Sequence, residues 1–231
     1  MDVETFPYLN ETENYPFPSP ERATTEGIVG VGGNLSPGML LSAYRQGIFP
    51  WYSDGDPILW WSPDPRCILV PQEFHFSRSM RRLLSQDRFR FTVDTCFVDV
   101  VSACADTPRS GQNGTWITGD MISGYSELHR LGYAHSFETW AGDELIGGLY
   151  GVSVGSFFFG ESMYSLEPNA SKAALSKLVT FALGRGFDLI DCQNHSDHLI
   201  SLGARMISRS SYLTMLQGAI RGKTLKGPWK L

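Results

Sequence analysis

Two polar side chains near the end of a predicted strand suit proton transfer. Residues 187–191 form an apolar run that closes on a carboxylate, Asp191, and an amide, Gln193, follows two residues later. Alternate side chains of a strand share a face, so Asp191 and Gln193 point the same way and Cys192 points the other way. A carboxylate with a neighbouring amide can take a proton from a reacting group and orient that group. Asp191 also fits a plain structural role as a cap for the following turn.

Two motifs match known catalytic patterns only in part. Residues 151–155 read G-x-S-x-G, but a nucleophilic serine needs a strand-to-helix turn, and Ser153 is followed by Ser156-Phe157-Phe158-Phe159, a strand. We therefore expect Ser153 in or near a hairpin. A CoA pyrophosphate site needs a glycine-rich turn at a helix start. Residues 161–169 offer no glycine there and carry two carboxylates, which argues against a CoA donor.

The remaining metal and cofactor signals are weak. His195 and His198 lie three residues apart, but two histidines without further ligands do not make a zinc site. Residues 30–33 contain three glycines without a preceding strand, so they predict a turn rather than a dinucleotide loop. No motif demands a metal or an organic cofactor. The four cysteines form no C-x-x-C pair and are expected to be free thiols: Cys67, Cys96, Cys104 and Cys192.

Composition describes a folded globular chain with an acidic balance. The 231 residues are 42% hydrophobic and 19% charged, with a net charge of −5. No apolar run approaches the roughly 20 residues that span a bilayer, and the first twenty residues lack a signal peptide pattern. We expect a cytoplasmic protein that does not enter membranes. Any contact with nucleic acid must then come from a local basic patch.

One helix supplies such a patch. Arg78, Arg81 and Arg82 follow a predicted cap, Ser77, at positions i, i+3 and i+4, which places them on one helical face. Met80, Leu83 and Leu84 make the opposite, buried face. Three exposed arginines can contact the phosphates of an RNA stem without reading its sequence. A solvated helix face is the alternative.

The pattern of elements predicts a small N-terminal lobe, residues 1–65, and a larger domain, residues 66–231. In the lobe, a first helix has Ser36 as its N-cap, Pro37 at its first position and Gly47 at its stop. The dense prolines and tryptophans of residues 49–65 predict irregular structure.

From residue 67, predicted strands and helices alternate. This order predicts an α/β or α+β fold, a mixed sheet with flanking helices. The predicted strands cover residues 67–70, 89–93, 134–140, 144–154, 156–162, 187–191 and 204–207. Helices follow Ser77, carry residues 97–104, run from Thr118 to Gly132, cover 170–183 and end the chain.

Four blocks give the chain a family resemblance. In their order along the chain they resemble leucyl/phenylalanyl-tRNA–protein transferases, from about residue 32 to residue 207. They are Gly47-Ile48-Phe49-Pro50-Trp51 with Trp60-Trp61-Ser62-Pro63-Asp64-Pro65-Arg66, Gly114-Thr115-Trp116-Ile117-Thr118, Phe159-Gly160-Glu161-Ser162-Met163, and Asp191-Cys192-Gln193 followed by Ser201-Leu202-Gly203-Ala204.

The resemblance implies a fold and a reaction. The larger domain would have an acyl-CoA N-acyltransferase-like (GNAT-like) fold, with an aminoacyl-tRNA ester instead of CoA as donor. Leu or Phe, and possibly Met, would pass to acceptor proteins that begin with Arg or Lys, marking them for degradation by the N-end rule. An acyl-CoA-dependent N-acyltransferase, a non-catalytic tRNA- or peptide-binding module and a serine hydrolase are the competing interpretations.

The resemblance also implies roles for individual residues. Asp191, acting with Gln193, would draw the proton from the attacking amine, and Glu161 would hold the aminoacyl end. Trp51 and Trp116 would stack on the terminal adenosine. Leu149, Phe158 and Ile190 would form the apolar pocket for the aminoacyl side chain, where burial of Leu or Phe stabilises by roughly 1.5–3 kcal/mol. Arg78, Arg81 and Arg82 would contact the acceptor stem.

Overall fold

The computed structural model describes residues 6–85, 88–107 and 116–231. A small antiparallel sheet lies in the N-terminal part, with strands β1 (Ile28–Val31), β2 (Phe49–Pro50) and β3 (Leu59–Trp61) in the order β1-β3-β2. The prediction of irregular structure across residues 49–65 is therefore wrong at β2 and β3. Pro50 is tolerated because β2 is an edge strand, where a missing N–H breaks no internal ladder bond.

The first helix, α1 (Pro37–Arg45), confirms its prediction, with Ser36 as the N-cap residue and Pro37 at the first position, but the side-chain capping bond is absent. The Ser36 side chain makes no capping bond and instead accepts from the N–H of Leu9 at 3.1 Å. Gly38 N–H, which an N-cap side chain usually binds, already donates to the Leu9 carbonyl at 2.9 Å. The lead-in segment thus binds the helix start in place of the cap.

A mixed sheet of seven strands forms the larger part of the fold, in the order β10-β4-β9-β8-β7-β6-β5. Every neighbouring pair is antiparallel except β8 and β9, which are parallel and joined by a helix. This arrangement confirms the predicted mixed α/β class. The strands are β4 (Arg66–Leu69), β5 (Arg90–Val93), β6 (Ala134–Ala141), β7 (Glu144–Val154), β8 (Phe157–Ser165), β9 (Leu189–Gln193) and β10 (Arg205–Ile207).

Helices cover both faces of this sheet. One buried cluster joins the sheet to the helices at residues 37–45, 97–106, 119–130 and 209–219, and the other joins it to the long helix that connects β8 with β9. None of the helices in the described ranges is both long and apolar enough to cross a bilayer. The helices after α1 are α2 (Arg78–Leu84), α3 (Phe97–Asp106), α4 (Gly119–Arg130), α5 (Ala170–Arg185), α6 (Asp197–Ile200) and α7 (Arg209–Ala219).

The core continues across residue 65. Tyr44 of α1 packs on Phe159 of β8, with ring centroids 4.9 Å apart. The proposed division into residues 1–65 and 66–231 stays a prediction, since the buried cluster contains residues from both sides of it.

Two of the register irregularities in this sheet are β-bulges at neighbouring places. In the β7–β8 pair, Tyr150 lies opposite Ser162 and Gly151 opposite Gly160, so Glu161 is an extra residue. In the β4–β9 pair, Cys67 lies opposite Gln193 and Ile68 opposite Asp191, which makes Cys192 the extra residue. Bulges bend a strand and redirect its side chains. Both fall beside the residues that were predicted to do chemistry.

Candidate active site

A cavity opens where the parallel strands β8 and β9 part. Their pairing ends at Phe159 opposite Asp191, and the residues that follow on each strand line a cavity of about 430 Å³. That volume falls in the range of small-molecule sites. The lining consists of Phe49, Pro50, Trp51, Trp116, Leu149, Tyr150, residues 160–163, Leu175, Leu178, residues 190–196 and Leu199.

Asp191 is held by four hydrogen bonds at this point. One carboxylate oxygen accepts from Arg66 Nε and from the Gln193 N–H, each at 2.9 Å. The other accepts from Arg66 Nη2 and from the Tyr212 hydroxyl, each at 2.7 Å. A carboxylate offers about four acceptor positions. The side chain of Asp191 is buried, and its acceptor capacity is filled.

Arg66 is the buried counterion of Asp191. Its guanidinium lies between the rings of Phe49 and Tyr212, 4.8 and 4.5 Å from their centroids. Burial alone would lower the pKa of Arg66, but the charge of Asp191, the Tyr212 hydroxyl and the hydrogen bonds to both together more than offset this and raise it. Arg66 therefore stays charged throughout the physiological pH range.

Gln193 links Asp191 to Glu161. Its backbone has φ +62°, in the left-handed region, and its N–H bond to Asp191 supports that unusual conformation. Its side-chain Nε2 donates to Glu161 Oε1 at 2.8 Å. The structure thus brings together the three predicted catalytic residues at the mouth of the cavity.

Glu161 is a buried carboxylate with neutral donors. Tyr44 donates to one oxygen and Tyr125 to the other, each at 2.8 Å. Burial raises the pKa of Glu161 to about 7; the hydrogen bonds from Tyr125 and Tyr44 oppose the shift and the charge of Asp191 adds to it. A carboxyl group of this kind changes protonation near neutral pH.

The predicted apolar pocket is present in part. Leu149 and Ile190 line the cavity together with Leu175 and Leu178 of α5, which the sequence did not single out. Phe158, the third predicted residue, is fully buried and is not among the described lining residues. Its ring centroid lies 6.1 Å from that of Trp229, and it belongs to the same buried cluster as Leu149 and Ile190.

The two predicted stacking residues lie at the cavity. Trp51 and Trp116 both line it and both are half-buried. The Trp51 ring is braced by Trp61, whose Nε1 donates to the Trp51 carbonyl at 2.7 Å. Gly114 and Thr115, from the same sequence block as Trp116, lie outside the described residues.

The predicted arginine patch lies on α2. Arg78, Arg81 and Arg82 are exposed and Met80 is buried, which confirms the amphipathic helix. The predicted cap is also confirmed, since the Ser77 hydroxyl accepts from the Met80 N–H at 3.1 Å. Arg81 lines a second cavity, of about 490 Å³, together with residues that include Lys172.

The motifs that the sequence discounted have the following surroundings. Ser153 is buried within β7, away from any strand-to-helix turn. His195 approaches Asp197 at 3.5 Å, and no cluster of three or more His, Cys, Asp or Glu suited to a metal occurs in the part of the chain that the structure describes. All four cysteines are free.

Four residues of this site had no predicted role. They are Arg66 and Tyr212, which bind Asp191, and Tyr44 and Tyr125, which bind Glu161. A weak signal existed for Arg66, because a charged residue directly precedes an apolar strand. None existed for the tyrosines, which look like ordinary members of amphipathic helices.

Comparisons with solved structures give partial similarity. The chain is similar to a GCN5-related N-acetyltransferase-like protein from Streptococcus suis 89/1591, at 13% identity and a TM-score of 0.37, covering 63% of this chain and 58% of that one. The chain is also similar to L-PGS from Bacillus licheniformis, at 12% identity and a TM-score of 0.40. The match covers 55% of this chain and 45% of that one.

Sequence relatives are much more similar to this chain than the solved structures are. A leucyl/phenylalanyl-tRNA–protein transferase of Desulfatibacillum aliphaticivorans is 52% identical over 215 residues, which cover 93% of this chain and 92% of the relative. One from Legionella pneumophila (strain Corby) is 51% identical over 218 residues, covering 94% and 97%.

Two family models match the chain as well. The model for the leucyl/phenylalanyl-tRNA protein transferase matches residues 68–217, and the model for its N-terminal domain matches residues 33–64. Both the models and the sequence relatives agree with the resemblance carried by the four blocks. The chain belongs to the leucyl/phenylalanyl-tRNA protein transferase family.

Proposed function

We propose that this chain transfers Leu or Phe from aminoacyl-tRNA to the N-terminal amine of acceptor proteins that begin with Arg or Lys. Met is the third donor side chain that the apolar part of the cavity would accept. One observation carries the proposal. Where β8 and β9 separate, the buried cluster of Asp191, Gln193 and Glu161 lines an apolar cavity. The names of the sequence relatives support an aminoacyl-tRNA donor and a protein acceptor.

The donor end fits the cavity by its chemistry. The apolar wall formed by Leu149, Ile190 and residues of α5 would receive the aminoacyl side chain. A wall of this type rejects charged side chains and separates Leu from Phe or Met only weakly. Trp51 and Trp116 would hold the terminal adenosine by stacking.

The acceptor side suits a cation. Neither Lys nor Arg occurs among the described residues that line the cavity; Asp191 is paired with Arg66 behind it, and Glu161 is a carboxylate whose hydrogen-bond donors are all neutral. An N-terminal Arg or Lys brings two positive charges, its α-ammonium and its side chain, so an acidic and otherwise neutral mouth favours it. The tag would then direct the acceptor to degradation by the N-end rule.

The catalytic task is mainly one of positioning. An aminoacyl ester is already activated, and correct orientation of two reactants can supply roughly 7–11 kcal/mol of the barrier. Asp191, fixed by Arg66, would orient Gln193, and Gln193 would in turn orient the groups at Glu161. In this scheme Asp191 acts through Gln193.

The exposed arginines of α2 would contact the acceptor stem. Arg78, Arg81 and Arg82 are free of ion pairs to acidic side chains among the described residues. A patch of this size in a chain of net charge −5 predicts modest affinity that falls as salt rises.

Incubation with radiolabelled Leu-tRNA and a peptide that starts with Arg tests the proposal. We expect label to enter the peptide, and none to enter a matched peptide that starts with Asp. Acetyl-CoA offered to the same peptide should leave it unmodified. Acetylation without leucylation would favour the acyl-CoA alternative.

A variant separates catalysis from mere binding in that assay. Gln193→Ala removes the link between Asp191 and Glu161, so transfer should fall about a hundredfold, the cost of a misplacement of about 1 Å. Binding of Leu-tRNA, measured by filter retention, should stay close to wild type. Unchanged transfer would support a non-catalytic binding module.

A further inference from the structure

Tyr44, Tyr125 and Glu161 form a closed triangle of buried oxygen atoms. The two hydroxyl oxygens are 2.6 Å apart, and each lies 2.8 Å from a different oxygen of Glu161. The tyrosines come from α1 and α4 and are fully buried, and Glu161 is 7% exposed. Two helices and a bulged strand thus converge on one set of hydrogen bonds.

A count of hydrogen atoms shows what the triangle lacks. Each tyrosine hydroxyl carries one hydrogen, so an ionised Glu161 leaves two hydrogens for three oxygen–oxygen contacts. One pair of buried oxygens then faces each other without a hydrogen, which is unfavourable. A proton on Glu161 supplies the third hydrogen and completes the ring. The triangle is therefore built to receive one proton.

The competing acceptor, Asp191, is less able to take a proton. Its four acceptor positions are filled, two of them by the cationic Arg66. Glu161 accepts three bonds, all from neutral donors, which leaves about one position free on a residue that lines the cavity. Asp191 is thus paired with a cation and has no free acceptor position, whereas Glu161 has neutral donors only and about one acceptor position free.

We propose that Glu161, positioned by Tyr44 and Tyr125, receives the proton of the attacking amine and passes it to the leaving ribose oxygen. The inference rests on the proposed function. The acceptor nitrogen forms a bond to the aminoacyl carbonyl carbon, and the ester C–O bond breaks with its electron pair on the ribose oxygen. One proton moves from nitrogen to Glu161 and on to that oxygen, so the reaction needs no other proton donor. Glu161 is the catalytic residue in this step, and the tyrosines are positioning residues.

The surroundings of Glu161 determine the expected pH behaviour. Hydrogen bonds from Tyr125 and Tyr44 lower the pKa of Glu161 against the larger effect of burial, so loss of either hydroxyl must raise it. The reaction starts from ionised Glu161, and the rate therefore falls as pH falls through its pKa. The titratable and charged groups facing Glu161 are Tyr44 of α1, Tyr125 of α4, Tyr150 of β7 and Asp191 of β9, with Arg66 of β4 and Tyr212 of α7 behind Asp191.

The proposal is tested by the variants Tyr44→Phe and Tyr125→Phe. For each, the single-turnover rate of transfer from Leu-tRNA to an Arg-peptide is measured across pH and compared with wild type. The ratio of variant to wild-type rate at each pH cancels the titration of the acceptor amine, which is common to both. We expect this ratio to fall toward low pH in each variant and further in the double variant. Tyr164→Phe is the matched control, because its buried hydroxyl has no partner among the described residues, and its ratio should stay flat.

A second measurement does not depend on the tyrosine variants. Glu161→Gln should reduce transfer by about 10²–10⁴-fold, the usual share of general acid–base catalysis. Infrared titration should show a buried carboxylic acid that forms near neutral pH in wild type and is absent from Glu161→Gln. Flat ratios in both tyrosine variants, or Glu161→Gln within tenfold of wild type, would overturn the inference while leaving the proposed function intact. Absence of transfer by the wild-type chain would overturn the proposed function itself.

Discussion

Asp191→Ala is expected to lower the free energy of unfolding by about 3–5 kcal/mol, because it leaves the guanidinium of Arg66 buried without a counterion. Arg66 is 1% exposed and makes two bonds to that carboxylate. Urea denaturation followed by tryptophan fluorescence measures the change. The same variant should lose transfer, but that loss alone would say little about chemistry.

A surface ion pair of equal length provides the control. Arg88 and Glu167 also meet at 2.7 Å, but their side chains are 55% and 37% exposed. Glu167→Ala should cost about 0–1 kcal/mol, since solvent already screens the pair. Equal destabilisation by the two substitutions would contradict the role given to burial.

A double variant separates stability from activity. Arg66→Met with Asp191→Leu removes both charges, and replacement of a buried pair by apolar residues is often neutral or stabilising. Stability should recover toward wild type, whereas transfer should stay lost because Gln193 no longer has Asp191 to fix its left-handed backbone. Recovery of transfer would show that the pair has only a structural role.

Trp51→Ala is expected to raise the KM for Leu-tRNA by roughly 5- to 150-fold, which corresponds to the 1–3 kcal/mol of one base stacked on an aromatic ring. Trp51→Phe should lose much less, because it keeps a ring at the cavity wall. Steady-state transfer to an Arg-peptide, with donor concentration varied, gives both values.

The control for this substitution is Trp140→Ala. Trp140 lies on β6, is partly exposed and is not among the described residues that line the cavity. Its loss should leave the KM for the donor near wild type. An equal rise in both variants would indicate general destabilisation instead of lost stacking.

Local patterns in the sequence predicted the strands that carry the site. The apolar run ending at Asp191 predicted the strand, but the regular alternation expected for Asp191, Cys192 and Gln193 is interrupted by the bulge at Cys192, which lines the cavity with them. The hairpin of β7 and β8 was predicted because Ser153 is closely followed by the strand-like run Ser156-Phe157-Phe158-Phe159. A strand and a hairpin depend mainly on residues close together in the sequence, so local sequence patterns can predict them.

The partners of the site were not predictable in this way. Arg66 meets Asp191 across 125 positions of sequence and Tyr44 meets Glu161 across 117. Such contacts depend on how the sheet and helices pack, and no local period signals them. The two bulges were missed for the same reason, since a bulge is a property of a strand pair.

Proline density misled the prediction of the N-terminal part. Pro50 occupies an edge strand and its N–H is not needed, so a three-stranded sheet forms where irregular chain was expected. Ser36 is the N-cap residue as predicted, but its side chain makes no capping bond because it binds the N–H of Leu9, 27 residues away. In both cases tertiary contacts replaced a local rule.

The most direct test of the central claim is a structure of the chain bound to phenylalanyl-adenosine in which an amide replaces the ester. The account predicts the phenyl ring against Leu149 and Ile190, the adenine against Trp51 or Trp116, and the carbonyl carbon beside Glu161 and Gln193. Binding with the phenyl ring outside this cavity, or with the amide N–H and carbonyl oxygen both beyond hydrogen-bonding reach of Glu161 and Gln193, would contradict it.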